Sequence, residues 1–181
     1  MYFYAQLFCK SKEKELNLQQ KSKIMEELVL KSTVKVAQMS ELTDAERSLV
    51  EQAIEATNRS YAPHSHFHVG AAIQLQNGTV LMGCNQENAA FPAGICAERS
   101  AIFAAGAQYP DQPVVMLAIA ARDEQGNSLE EPVTPCGTCR QVIIETETRF
   151  SQPMRILLYG QRHVYIIEGI RHLMPLSFTE F

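Results

Sequence analysis

Basic excess is the first thing this sequence lacks. Its 181 residues carry 16 lysines and arginines against 20 aspartates and glutamates, a formal net charge of −4. Duplex nucleic acid is held largely through its phosphates, and a chain without a positive field is not built for that. Long apolar runs are also missing: none approaches the roughly 20 residues that span a bilayer as a helix. An even set of cysteines is missing too. The five present, Cys9, Cys84, Cys96, Cys136 and Cys139, are an odd number in a chain long enough to fold without staples, which makes a disulfide framework the weaker reading. The apolar opening MYFYAQLFC (residues 1–9) has no basic flank and no small-residue cleavage site, so it does not read as a signal peptide. The expected compartment is cytoplasmic, where clustered cysteines point to metal or catalysis.

What is present reads as one globular domain with an appendage. Apolar residues make up 46% and charged residues 20%, ordinary for a soluble fold. Residues 10–23, KSKEKELNLQQKSK, have no apolar stripe and should be solvated. The expected division is an N-terminal extension over residues 1–40, partly disordered, and a domain over 41–181. The composition change at Met25 suggests a translation start there, which the intact mass of the native protein would decide. Thr43 and Glu46 form a capping box, and Leu42, Ala45, Leu49, Ala53 and Ala56 follow at helical spacing, predicting a helix over 44–60. Asn77-Gly78 between apolar segments 69–76 and 79–83 predicts a hairpin. Further helices are expected over 97–108, 137–147 and 168–173, and strands over 114–121, 155–159 and 164–167. That interleaving implies an α/β sandwich with a mixed sheet.

Two fragments carry chemistry: Cys96-Ala97-Glu98, and Pro135-Cys136-Gly137-Thr138-Cys139. Thiols three positions apart can face one point at the start of a helix. Zinc accepts thiolates tetrahedrally, and a catalytic site keeps three protein ligands and one open position. Cys96, Cys136 and Cys139 supply three, each at a predicted helix N-terminus, where exposed amides favour the thiolate. Three thiolates overcompensate a dication, and Arg99 can donate to their sulfurs and reduce that excess. Glu98 lies close to the metal without having to ligate it and can carry a proton. The competing readings are a structural zinc with Cys84 as fourth ligand, a redox pair at C-x-x-C, and Glu98 as a surface charge favourable to the helix dipole.

Together these motifs resemble the homotetrameric cytidine deaminase family. The matching segments are YAPHSHFHVG (61–70), GCNQENA (83–89), ICAER (95–99), PCGTCRQV (135–142) and LMPLSF (173–178). The resemblance implies a three-layer α/β/α sandwich with a mixed central sheet, one zinc per subunit, and hydrolytic deamination of cytidine and deoxycytidine to uridine and deoxyuridine in pyrimidine salvage. It implies zinc ligands at Cys96, Cys136 and Cys139, a proton shuttle at Glu98, and ribose contacts at Asn85 and Glu87. Phe67 is implied to lie against the pyrimidine, with Asn88, Ala89, Phe91 and Ala97 completing the pocket. Phe178 is implied to close a neighbouring subunit's site. Two positions depart from the family: His64 stands where tyrosine is common and His68 where proline is. With His66 they make H-x-H-x-H, which on an extended segment would share one face and make a second metal site conceivable; the preferred reading is that His64 replaces a polar aromatic near the pocket mouth and His68 starts a strand. A nucleic-acid-editing deaminase is disfavoured by the absent basic excess and stacking surface. Two rival functions stay open at the level of sequence: deamination of another aminopyrimidine nucleoside, such as blasticidin S, and a non-catalytic zinc-stabilised oligomerisation module.

Overall fold

The computed structural model describes residues 26–179. The chain divides into Met1–Leu30 and Lys31–Phe181. Residues 26–30 carry no regular element, and the lysine-rich stretch and the Met25 start lie outside the described residues.

One six-stranded sheet organises the second unit. Its strands are β1 (Lys35–Ala37), β2 (His68–Leu75), β3 (Val80–Cys84), β4 (Val114–Arg122), β5 (Arg155–Tyr159) and β6 (Val164–Glu168), in the order β1-β6-β5-β4-β2-β3. Strands β4 and β5 run parallel and every other pair is antiparallel, so the sheet is mixed, as expected. Three α-helices cover it: α1 (Asp44–Ala56), α2 (Ala97–Gln108) and α3 (Gly137–Phe150). Side chains alternate across the pleat. Ala72, Ala118, Ala120 and Leu157 pack under Leu49, Val50 and Ala53 of α1. Their strand neighbours Ala71, Ile73, Leu117, Ile119, Ile156 and Leu158 face the other way, onto Ala97 and Ala101 of α2 and Ile143 and Ile144 of α3. With both faces covered, the central strands read as continuous apolar runs. The result is the three-layer α/β/α sandwich.

Local chemistry sets the element ends. The Asn77-Gly78 turn joins β2 to β3, with Gly78 at φ +86° and its amide donating to the Leu75 carbonyl at 2.9 Å. Thr43 Oγ1 accepts from the Glu46 amide at 3.3 Å, and Glu46 Oε2 accepts from the Thr43 amide at 2.8 Å, closing the capping box. Helix α1 stops at Ala56 rather than at 60, where a 3-10 turn, Thr57–Arg59, takes over. Gly70 lies directly beneath this end; a Cβ there would come within 2.1 Å of the Ala53 carbonyl oxygen, so backbone rests on backbone. The expected helix over 168–173 is a shorter 3-10 turn, Ile170–His172, entered through Gly169 at φ +86°. Strand β1 falls inside the stretch expected to be extension. Three residues with mostly exposed side chains carry no readable alternation, and among the described residues they ladder to β6 alone.

Arg155 on β5 bridges Glu46 of α1 and Glu168 of β6. Burial by itself would push the Glu46 carboxyl up, but donation from Thr43 and from Arg155 outweighs it and holds the group below the usual range. A carboxyl depressed on folding stabilises the fold above its unfolded value of about 4.5, and that contribution is lost as pH falls through the folded value. Glu46→Gln should therefore cost on the order of 1–3 kcal/mol near neutral pH, with the two proteins converging in acid. Denaturant melts at about pH 7 and about pH 3.5 test this; a constant gap at both would refute the linkage.

Candidate active site

Two helix N-termini meet to form the site. Cys96 is the N-cap of α2 and Cys136 the N-cap of α3, with Cys139 in the first turn of α3. The three sulfurs lie within 4.8 Å of one another, and those of Cys96 and Cys136 are 3.9 Å apart. A tetrahedral zinc with Zn–S near 2.3 Å sets its sulfurs about 3.8 Å apart, close to the Cys96–Cys136 separation, so the donor set fits the ion in kind and in scale. Cys84 is not part of the cluster: its Sγ donates to the Arg59 carbonyl at 3.2 Å and accepts from Gln86 Nε2 at 3.2 Å. The cluster could thus offer a metal ion three protein ligands.

The thiols are not equivalent. Donation from Cys139, with help from Arg99 and Cys136 against the cost of burial, holds Cys96 down at about 5. Cys139 is fully buried and moves strongly the other way, since the adjacent Cys96 thiolate and burial both oppose a second negative charge. Cys96 yields its proton readily, and Cys139 retains its own until a cation compensates it. Arg99 Nη2 donates to Cys96 Sγ at 3.5 Å, the placement expected for a residue that drains charge from the sulfurs, while its Nε is buried with no partner among the described residues.

Glu98, in the first turn of α2, is only 4% exposed. Burial pushes its carboxyl up; the Cys96 thiolate adds to the rise, against its own amide, Cys139 and Arg99. The surface-charge reading of this residue is therefore excluded. Its position is set by Gly83 on β3, where a Cβ would come within 2.4 Å of the Ala97 carbonyl oxygen and 2.6 Å of the Ala101 amide nitrogen. Only a bare glycine lets α2 sit this close to the sheet.

Glu98, Cys96 and Cys136 share the wall of a cavity of about 300 Å³ with Phe67, Asn85 and Glu87. The amide of Asn85 is already engaged: Oδ1 accepts from Val69 N–H at 2.8 Å and Nδ2 donates to the Phe67 carbonyl at 2.9 Å, so it fixes the strand that presents Phe67. Glu87 Oε2 accepts from the His64 amide at 2.8 Å and the Ser65 amide at 3.2 Å, and donation from these two residues, Ser65 first, holds its carboxyl below the usual range. Beside this cavity a second, of about 500 Å³, is lined by Asn88, Phe91, Arg99 and His64 and shares Asn85, Glu87 and Cys96 with the first. The rings of His64 and Phe91 meet edge to face at 5.8 Å. Ala97 is fully buried and Ala89 exposed. Phe178 is 63% exposed and lines neither cavity; Gln141 Nε2 donates to its carbonyl at 2.9 Å.

The three histidines do not share a face. Residues 63–65 form a turn, His66 takes φ 55°, and His68 Nδ1 contacts Ser60 Oγ. Among the described residues the metal-competent group of three is the cysteine trio. Sequence reasoning missed Ser65, Ile119, Val133 and Thr134 as cavity walls; only the last two carried a signal, their adjacency to Pro135.

Fold and site together define a zinc-thiolate protein of the α/β/α class with a buried carboxyl beside the metal. The model of the cytidine and deoxycytidylate deaminase zinc-binding region matches residues 43–151, and the chain belongs to that family. It is 41% identical over 97 residues to a cytidine deaminase of Halalkalibacterium halodurans, covering 54% of this chain and 68% of that one. It is 36% identical over 106 residues to a cytidine deaminase of Mycobacterium tuberculosis, covering 57% and 74%. The crystal structure of cytidine deaminase from Burkholderia pseudomallei superposes with a TM-score of 0.63 at 35% identity, over 76% of this chain and 100% of that one.

Proposed function

We propose that the protein hydrolyses cytidine and deoxycytidine to uridine and deoxyuridine with release of ammonia. The observation that carries this is the buried Glu98 carboxyl sharing one cavity with the thiol cluster. Zinc held by the three thiolates supplies Lewis acidity and makes water nucleophilic at neutral pH. Glu98 is the proton carrier: it accepts a proton from the attacking water and delivers it to the ring N3, then accepts the proton of the new C4 hydroxyl and passes it to the departing amine as the carbonyl forms. Its burial favours the protonated form and so suits the donor half of that cycle. Phe67 lies against the pyrimidine, and Asn88, Ala89, Phe91 and Ala97 complete the walls. Asn85 and Glu87 receive the ribose 3′-hydroxyl, Glu87 through Oε1, since Oε2 is occupied by the loop amides. Arg99 tempers the charge on the sulfurs.

The enzyme works in pyrimidine salvage in the cytoplasm as a homotetramer, in which the exposed Phe178 closes a neighbour's site. The deaminase domain takes in β1 and begins near Lys31, with the residues before it as an extension. Incubating the zinc-loaded protein with cytidine should abolish the cytidine absorbance band and release ammonia stoichiometrically. Silence toward both cytidine and deoxycytidine would sink the proposal.

Glu87 gives a sharper test of the ribose contact. Glu87→Gln should raise KM for cytidine about tenfold, because a site built for a hydroxyl loses an acceptor. The same variant should change KM for 3′-deoxycytidine little. An equal penalty with both substrates would mean that Glu87 serves only the loop at His64 and Ser65.

A further inference from the structure

We propose that Arg140 is a positioning residue of the metal centre, coupling the loop that presents Cys136 to the C-terminal segment that starts at Leu173. It follows the buried ligand Cys139 on α3 and is half-buried. Its guanidinium makes three donations. Nε donates to the Pro135 carbonyl at 2.9 Å and Nη2 to Thr134 Oγ1 at 3.3 Å. Nη1 donates to the Leu173 carbonyl at 2.7 Å, 33 residues along the chain.

The choice of acceptors is the argument. Among the described residues Arg140 pairs with no carboxylate. A permanently charged, rigid fork is spent on three neutral oxygens from two segments, and such a fork specifies geometry where a point charge would not. What it specifies matters to the site. Pro135 directly precedes Cys136, the exposed member of the trio, whose placement rests on its loop rather than on surrounding packing. Thr134 walls the cavity that holds Glu98. At the other end, Leu173 packs against the core cluster shared by α2 and α3, so the fork ties the ligand loop to a fixed point. Gln141, the next residue, grips the same segment further on through the Phe178 carbonyl. The N-cap and first turns of α3 therefore carry two thiols and two hydrogen bonds to the C-terminal segment.

The inference rests on zinc at the three thiols but not on turnover. The test uses the full-length zinc-loaded protein and reads zinc release to a chromophoric chelator, with KM for cytidine as a second readout. Arg140→Gln should speed release about tenfold or more, the usual size of a lost outer-shell partner, and raise KM as the Thr134 wall shifts. Arg140→Lys keeps the charge but not the fork and should release nearly as fast as Arg140→Gln. Ile144→Val, a buried change on the same helix at a side chain with no polar group, should lower the melting temperature and leave release unchanged. Release at the wild-type rate in Arg140→Gln, full rescue by lysine, or equal acceleration by Ile144→Val would each overturn the proposal. Should Arg140→Gln fail to fold, Arg140→Lys against Ile144→Val decides it. A wild type inactive on cytidine would fail the proposed function while the release rates still decide this inference.

Discussion

Glu98→Gln should keep its zinc and lose its turnover. The carboxyl is not a member of the thiol trio but shares a cavity with Cys96 and Cys136, so its replacement should leave the thiol geometry intact while removing the proposed proton carrier. A positioned acid–base group contributes about 10²–10⁴-fold, and here one residue serves successive transfers, so kcat should fall at least that far. KM should change little, since no ribose contact is touched. The variant should also be at least as stable as the wild type. Burial disfavours the ionised carboxyl in the native state, and a neutral amide of the same shape does not carry that penalty. Zinc content, kcat and melting temperature measured on one preparation separate the outcomes. A variant that retains most of its rate removes Glu98 from the mechanism, and one that loses its zinc makes the residue structural.

The second large effect concerns Cys139, fully buried in the first turn of α3. Cys139→Ala should abolish zinc retention and drop activity below detection. Ligand binding to the native state adds stability that grows with the logarithm of free ligand over Kd, about 4 kcal/mol at a thousandfold excess, so the variant should melt well below the zinc-loaded wild type. A strong chelator supplies the internal control: it should bring the wild type down toward the variant and leave the variant unmoved. A chelator response that persists in Cys139→Ala would place the metal elsewhere.

Which features could be read from the chain follows from how local their physics is. The Thr43–Glu46 box, the Asn77-Gly78 turn and the Cys136–Cys139 pair each lie within a few residues, and each forms as the residue types dictate. The face alternation of β2, β4 and β5 was hidden, because a sheet covered on both sides leaves only an apolar run. Strand β1 was hidden because its one ladder is to β6, more than a hundred residues away. The double engagement of Asn85 and the loop bonds of Glu87 were equally invisible, since they join side chains to backbone groups 16 to 23 residues away. The resemblance had implied ribose contacts at these positions; the structure adds that both residues hold the pocket's own backbone. The H-x-H-x-H pattern makes no second metal site for a related reason: alternation assigns a shared face only along extended chain, and the turn at 63–65 breaks it.

The bare seat at Gly83 has a consequence for how this protein tolerates change. Helix α2 meets β3 main chain to main chain, so the height of Glu98 above the sheet is registered by atoms that every residue possesses. Repacking at Ile102 or Leu81 can redistribute volume around that contact without displacing it. The chemistry is in this way insulated from drift in the interior, and the vulnerability is concentrated at one position, where even a single added methyl group would lift the proton carrier off its mark.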